Sequence, residues 1–180
     1  MKPRLVITIG LITAGLLAGS AWWLMARQTQ PADSGPSGAL DRAAPAVGEL
    51  APDFSLKTLE GREIKLASYR GQKPVVVDFW ASWSPECRRN APVLEGIYAK
   101  YKDQLEVIAV NRQEGEAKIR DFIDTYAPSF IVAPDPLAEV HRNYGNPYAN
   151  THFLIDKNGN IIKIITDDVS EDEVRQLLAG

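Results

Sequence analysis

The stretch from Val75 to Trp80 constrains the fold more than any other part of the chain. Val75, Val76, Val77, Phe79 and Trp80 form a nearly continuous apolar run, interrupted only by Asp78. A strand with one wet face alternates apolar and polar residues, whereas an unbroken run suits a strand covered on both faces, as in a sheet between helical layers. The run breaks at Ser82, and a helix is expected from Pro85 to Tyr101, with Pro92 kinking it. Leu105 to Asn111 reads as a second buried strand. Ile119, Phe122 and Ile123 fall at helical spacing within Glu116 to Tyr126.

The alternation continues toward the C-terminus. Phe130 to Ala133 is a short apolar strand, and Leu137 to Tyr144 a short helix entered at Pro136 and closed by Gly145. Thr151 to Asp156 and Asn160 to Thr166 flank Lys157, Asn158 and Gly159, a hairpin signal. Ser170 and Glu173 have the spacing of a capping box, and Val174, Leu177 and Leu178 give the last helix one apolar face. Ahead of the first buried strand, Asp53 to Thr58 and Arg62 to Leu66 read as two short strands around Gly61. The order is hairpin, β, α, β, α, β, α, β-hairpin, α. That is an α/β sandwich with parallel middle strands and an antiparallel final pair.

Residues 1–27 read as a signal anchor. Leu5 to Ala26 is a run of 22 uncharged residues preceded by Lys2 and Arg4 and closed by Trp22, Trp23 and Arg27. As a helix it would be about 33 Å long, enough to cross a hydrocarbon layer of about 30 Å. The leading cations favour a cytoplasmic N-terminus, which puts the rest of the chain on the extracytoplasmic (periplasmic) side of a bacterial cytoplasmic membrane. A cleaved signal peptide is the rival, because Leu16 to Ala21 ends in small residues. Residues 28–46, rich in Gly, Pro, Ser and Ala, read as a flexible linker, and residues 47–180 as one domain.

Charge and cysteine count exclude several classes. The chain carries −3, and setting aside the three cations Lys2, Arg4 and Arg27 leaves −6 for the remainder, so nucleic acid is not an expected partner. Cys87 is the single cysteine, so no disulfide can form within one chain, although two chains can cross-link.

The domain resembles the membrane-anchored TlpA/ResA-type thioredoxins, which include the DsbE/CcmG proteins of cytochrome c maturation. Ala51 to Leu56, Val76 to Trp83, Cys87 and Arg88 with Pro92 behind them, Val107 to Asn111, Tyr144 with Gly145, and Phe153 to Gly159 carry the resemblance. It implies a thioredoxin-like fold, a mixed central sheet flanked by helices with an N-terminal β-hairpin extension. It also implies a Cys-x-x-Cys motif whose first cysteine attacks a partner disulfide and whose second resolves the intermediate. Here the first position is Ser84, and Cys87 matches the second. A serine hydroxyl does not replace a thiolate in disulfide exchange. The family's cis-proline position falls on Asn150, which is expected to be trans, and the ResA-type glutamate position is Asn90.

The remaining residues read in more than one way. Cys87 is either a shielded core residue or a monothiol assisted by the helix dipole and by Arg88 and Arg89. Asp78 matches the buried aspartate that in thioredoxin relays a proton to the second cysteine; it is either an acid-base partner of Cys87 or an inherited residue satisfied by water or backbone. Trp80 is expected in the core. Trp83 matches the exposed tryptophan of the family's binding face, to which Ser84, Pro85, Ala149 and Asn150 would contribute. Ser84 is also a good helix N-cap. Copper-delivering proteins on this fold use two cysteines and a histidine, so Cys87 with His152 is a thin site; no metal and no cofactor are expected.

Three functions follow as expectations. The first is a binding or assembly factor for extracytoplasmic proteins or peptides, such as a thiol-containing apocytochrome or a redox partner. The second is a Cys87-dependent monothiol oxidoreductase forming mixed disulfides with envelope partners. The third is a peroxidase, because Ser84 and Cys87 have the spacing of the peroxiredoxin Thr-x-x-Cys, although Trp80 stands where peroxiredoxins have proline.

Overall fold

The computed structural model describes residues 43–180. The expected apolar span and most of the linker lie outside these residues. No helix among the described residues is long and apolar enough to cross a membrane.

Strands β1 (Ser55–Lys57) and β2 (Glu63–Lys65) form an antiparallel hairpin, with Leu56 opposite Ile64. A 3-10 turn, Leu66–Tyr69, leads toward the main sheet. There follow β3 (Val75–Trp80), α1 (Pro85–Tyr101), β4 (Glu106–Arg112), α2 (Glu116–Tyr126), β5 (Ile131–Asp135), α3 (Glu139–Asn143), β6 (Thr151–Ile155), β7 (Ile161–Ile165) and α4 (Glu171–Ala179). The sheet order is β5-β4-β3-β6-β7. β3, β4 and β5 are parallel, and β6 and β7 each run antiparallel to their predecessor in the sheet.

All six residues of β3 are buried. Alternation distributes its side chains over two apolar layers. Val76 and Trp80 pack with Leu94, Ile119, Phe122 and Leu177 on one face, and Val75, Val77 and Phe79 with Ile108, Tyr144 and Phe153 on the other. The element order is the one the sequence predicts, and the capping box of Ser170 and Glu173 forms.

The short helix α3 is the main departure. It begins at Glu139, not Leu137, because the Asp135 carboxylate accepts the backbone N–H groups of Glu139 (2.9 Å) and His141 (3.0 Å). Ala138 takes the left-handed conformation just before it, φ 52°. A carboxylate at the end of β5 therefore sets the helix start, and Pro136 stays outside it.

Gly145 ends α3 at φ 78°, and a Cβ there would collide with Ala44. Gly145→Ala is therefore expected to lower the urea unfolding midpoint, with a loss of more than about 1 kcal/mol from the left-handed backbone alone.

Candidate functional site

The site forms where β3 runs out of the sheet into α1. Ser84 is the N-cap of α1, with extended backbone (φ −74°, ψ 121°). Its Oγ accepts the Cys87 N–H at 3.2 Å and donates to Glu86 Oε2 at 3.1 Å. The hydroxyl that replaces a thiol at this position is thus occupied in holding the first turn of the helix, and Ser84 is only 2 % exposed.

Cys87 is 4 % exposed and packs in the apolar layer with Trp80 and Leu94. Burial pushes its thiol above the ordinary range, outweighing the hydrogen bonds offered by Ser84 and the backbone of Ala81 and Asn150. The monothiol reading calls on Arg88 and Arg89. Arg88 is exposed, and Arg89 turns to Asp168, with Nε to Oδ2 at 3.0 Å and Nη2 to Oδ1 at 3.1 Å.

Beneath Cys87 lies a buried polar group that the sequence reading missed. Asp78 pairs across the antiparallel ladder with His152, and Oδ1 faces the ring Nδ1 at 3.2 Å. The two atoms lack the alignment of a hydrogen bond, so both stay unpartnered among the described residues. On the other side of the ring, Asn90 Nδ2 lies 3.3 Å from Nε2. Burial alone raises Asp78 to about 7. Burial lowers His152 to about 4, against the opposing pull of Asp168 and Glu173. Both groups are neutral between those values. Asp78, Cys87, Asn90 and Asn150 share the wall of a cavity of about 10 Å³. The sequence pairs His152 only with Cys87, as a metal ligand; among the described residues no group of three His, Cys, Asp or Glu side chains is placed to hold a metal. Counting the β6 register against β3 was the signal that would have found the pair.

The outer face is formed by two segments. Trp83 is 66 % exposed, Pro85 is exposed and Ala149 is half-buried, whereas Asn150 is buried. No cis peptide bond occurs among the described residues, and Asn150 is left-handed at φ 68°, a conformation asparagine tolerates better than most residues. Its N–H donates to Phe79 O at 2.8 Å and its Nδ2 to Asp168 Oδ1 at 3.2 Å. Of the expected contact residues, the structure brings Trp83, Pro85 and Ala149 to the surface. Ser84 and Asn150 lie beneath it.

Residues 47–164 match the AhpC/TSA family. The chain is 39 % identical over 139 residues to the thiol-disulfide oxidoreductase ResA of Geobacillus thermodenitrificans, covering 77 % of this chain and 79 % of that protein. It is 35 % identical over 134 residues to the thioredoxin-like protein YneN of Bacillus subtilis, covering 73 % and 78 %. The crystal structure of a putative thiol:disulfide interchange protein DsbE from Chlorobium tepidum superposes with a TM-score of 0.68 at 33 % identity, covering 76 % of this chain and 97 % of that one. The chain belongs to the TlpA/ResA-like branch of the AhpC/TSA family.

In this ResA-like protein the neutral Asp78 and His152 pair has a definite pH signature. Asp78 rises from 3.8 to about 7 on folding, so between those values the folded state holds an extra proton and Asp78 alone makes stability fall as pH rises. His152 drops from 6.5 to about 4, so between those values the unfolded state holds the extra proton and His152 alone makes stability rise with pH. The two slopes oppose each other over nearly the same window. Asp78→Asn is therefore expected to gain stability as pH rises from about 4 to about 6.5, and His152→Phe to lose it from about 4 to about 7. In the wild type these two contributions nearly cancel across this window. Urea midpoints measured at several pH values check both signs.

Proposed function

We propose that this TlpA/ResA-like protein is a membrane-anchored, extracytoplasmic binding or assembly factor that does not run a dithiol cycle. One observation carries the reading: the position of the attacking thiol is held by Ser84, whose hydroxyl caps α1 and is buried. The remaining thiol, Cys87, is shielded and biased toward its protonated form. The family scaffold persists around them, with Trp83 presented to solvent. Its partners would be extracytoplasmic polypeptides, with a thiol-bearing apocytochrome or a redox protein as natural candidates for a domain of this descent. The anchor at residues 1–27 belongs to the same proposal and rests on the apolar run alone.

The monothiol and peroxidase readings both need a thiolate that a substrate can reach. Burial of Cys87 weighs against each.

An insulin-reduction assay with dithiothreitol tests the proposal. No turnover above the uncatalysed rate is expected from the wild type, and Ser84→Cys is expected to raise it by restoring the dithiol. Wild-type turnover that disappears in Cys87→Ser would sink the binding role. Iodoacetamide is expected to label native Cys87 far more slowly than the urea-unfolded chain. Trp83→Ala is expected to change stability by no more than about 0.5 kcal/mol, as for an exposed side chain, while weakening polypeptide binding measured by fluorescence anisotropy.

A further inference from the structure

Beside Trp83 lies a second polar arrangement that the sulfur site does not use. A cavity of about 320 Å³ opens there, with Arg112, His141 and Tyr148 in its wall. That is within the size range of small-ligand pockets. Trp83 and Tyr148 are 66 % and 86 % exposed, so aromatic surface borders the opening.

His141 is the unusual member. It is 2 % exposed, and its Nδ1 meets Asp135 Oδ2 at 2.8 Å. Burial tends to raise the Asp135 carboxyl, but its hydrogen bonds to the His141 ring and to the His141 and Glu139 backbone outweigh this, and it stays below the ordinary range. A charged carboxylate at Nδ1 holds a proton on that nitrogen, so in the neutral ring Nε2 is the acceptor. The Phe79 ring packs edgewise on the imidazole at 4.8 Å and fixes its orientation. Nε2 has no hydrogen-bond partner among the described residues, and His141 is part of the cavity wall.

Arg112, at the end of β4, is exposed and forms no ion pair among the described residues. No acidic side chain lines this cavity. A guanidinium suits planar, bidentate recognition of a carboxylate.

We propose that this cavity selects an extended peptide carrying a carboxylate. Arg112 takes an Asp, Glu or C-terminal carboxylate, His141 Nε2 accepts an N–H from the same segment, and an apolar side chain lies against Trp83 and Tyr148. The inference rests on the binding role proposed above and adds the chemistry of the partner. Domain charge does not supply the preference, because the remainder of the chain after the N-terminal cations is acidic overall. It comes from Arg112 locally.

The test uses the full-length chain in detergent micelles and fluorescein-labelled peptides with one central aromatic residue, randomised flanks and a single Glu, Gln or Lys. The Glu peptides are expected to bind about tenfold tighter than the Lys peptides, as for one charge-assisted hydrogen bond. Arg112→Gln removes that preference and Arg112→Glu reverses it. His141→Gln weakens all three sets alike. Arg112 is exposed, so its variants keep the fold and decide the matter even if His141→Gln unfolds the domain. Equal affinity for Glu and Lys peptides, or a Glu preference that survives Arg112→Gln, overturns the proposal and leaves the binding role standing. Failure of the wild type to bind any of the three sets overturns both.

Discussion

Strand β3 is hydrogen-bonded along both edges, parallel to β4 and antiparallel to β6, and buried on both faces. Every part of the candidate site hangs from it. Its last residue, Trp80, leads through a short turn to the cap of α1, so the position of Cys87 follows from the strand end. Its Phe79 carbonyl accepts the Asn150 N–H, which pins the loop before β6 against that same end. Its central Asp78 meets His152 across the ladder. A strand with one free edge or one wet face would leave these three elements free to move relative to one another. Double coverage removes that freedom, because no water competes for the backbone groups of β3.

Much of this arrangement is legible in the sequence, for reasons that differ between elements. The bounds of β3, α1 and α2 coincide with those expected, since an unbroken apolar run, a Ser-Pro start and a clear 3.6-residue period are all local signals. The capping box at Ser170 is likewise local. Helix α3 is not local: it starts where the Asp135 side chain reaches forward to two backbone N–H groups, while Pro136 supplies a competing and misleading cue. The site divides the same way. The loss at Ser84 and the solvent exposure of Trp83 are both implied by the family resemblance. The partners of Asp78 and Arg89 come from chain segments more than 70 residues away, and only the register of β6 or the turn after β7 reveals them.

Replacing a thiol by a hydroxyl at the start of α1 changes what the position is good for. A thiol exposed at a helix N-terminus is a poor hydrogen-bonding cap and a good nucleophile. The hydroxyl of Ser84 instead accepts from one backbone N–H and donates to Glu86, so it strengthens the helix start and leaves no reactive atom at the tip. Asn150 shows a parallel exchange. At the family's cis-proline position, asparagine donates from both its backbone and its side chain inside the chain. Both changes turn a position suited to a reacting partner toward hydrogen bonds within the chain. The face that remains for a partner is aromatic, built on Trp83 and its surroundings.

The buried Asp78 fits this picture through its effect on sulfur. A carboxylate that ionises beside a thiol opposes thiolate formation, and the Asp78 charge is among the influences that raise Cys87. Asp78 itself ionises only near pH 7, because burial holds its proton. Below that pH a thiol is protonated with or without burial. Above it, the new negative charge in the same small cavity pushes the thiol up further. Burial and the Asp78 charge thus act in the same direction, against thiolate formation. Neutral His152 supplies no positive charge to reverse this, and the Arg89 guanidinium is committed to Asp168. The electrostatics around Cys87 thus keep the one remaining thiol quiet, in agreement with a role carried by surface shape and charge.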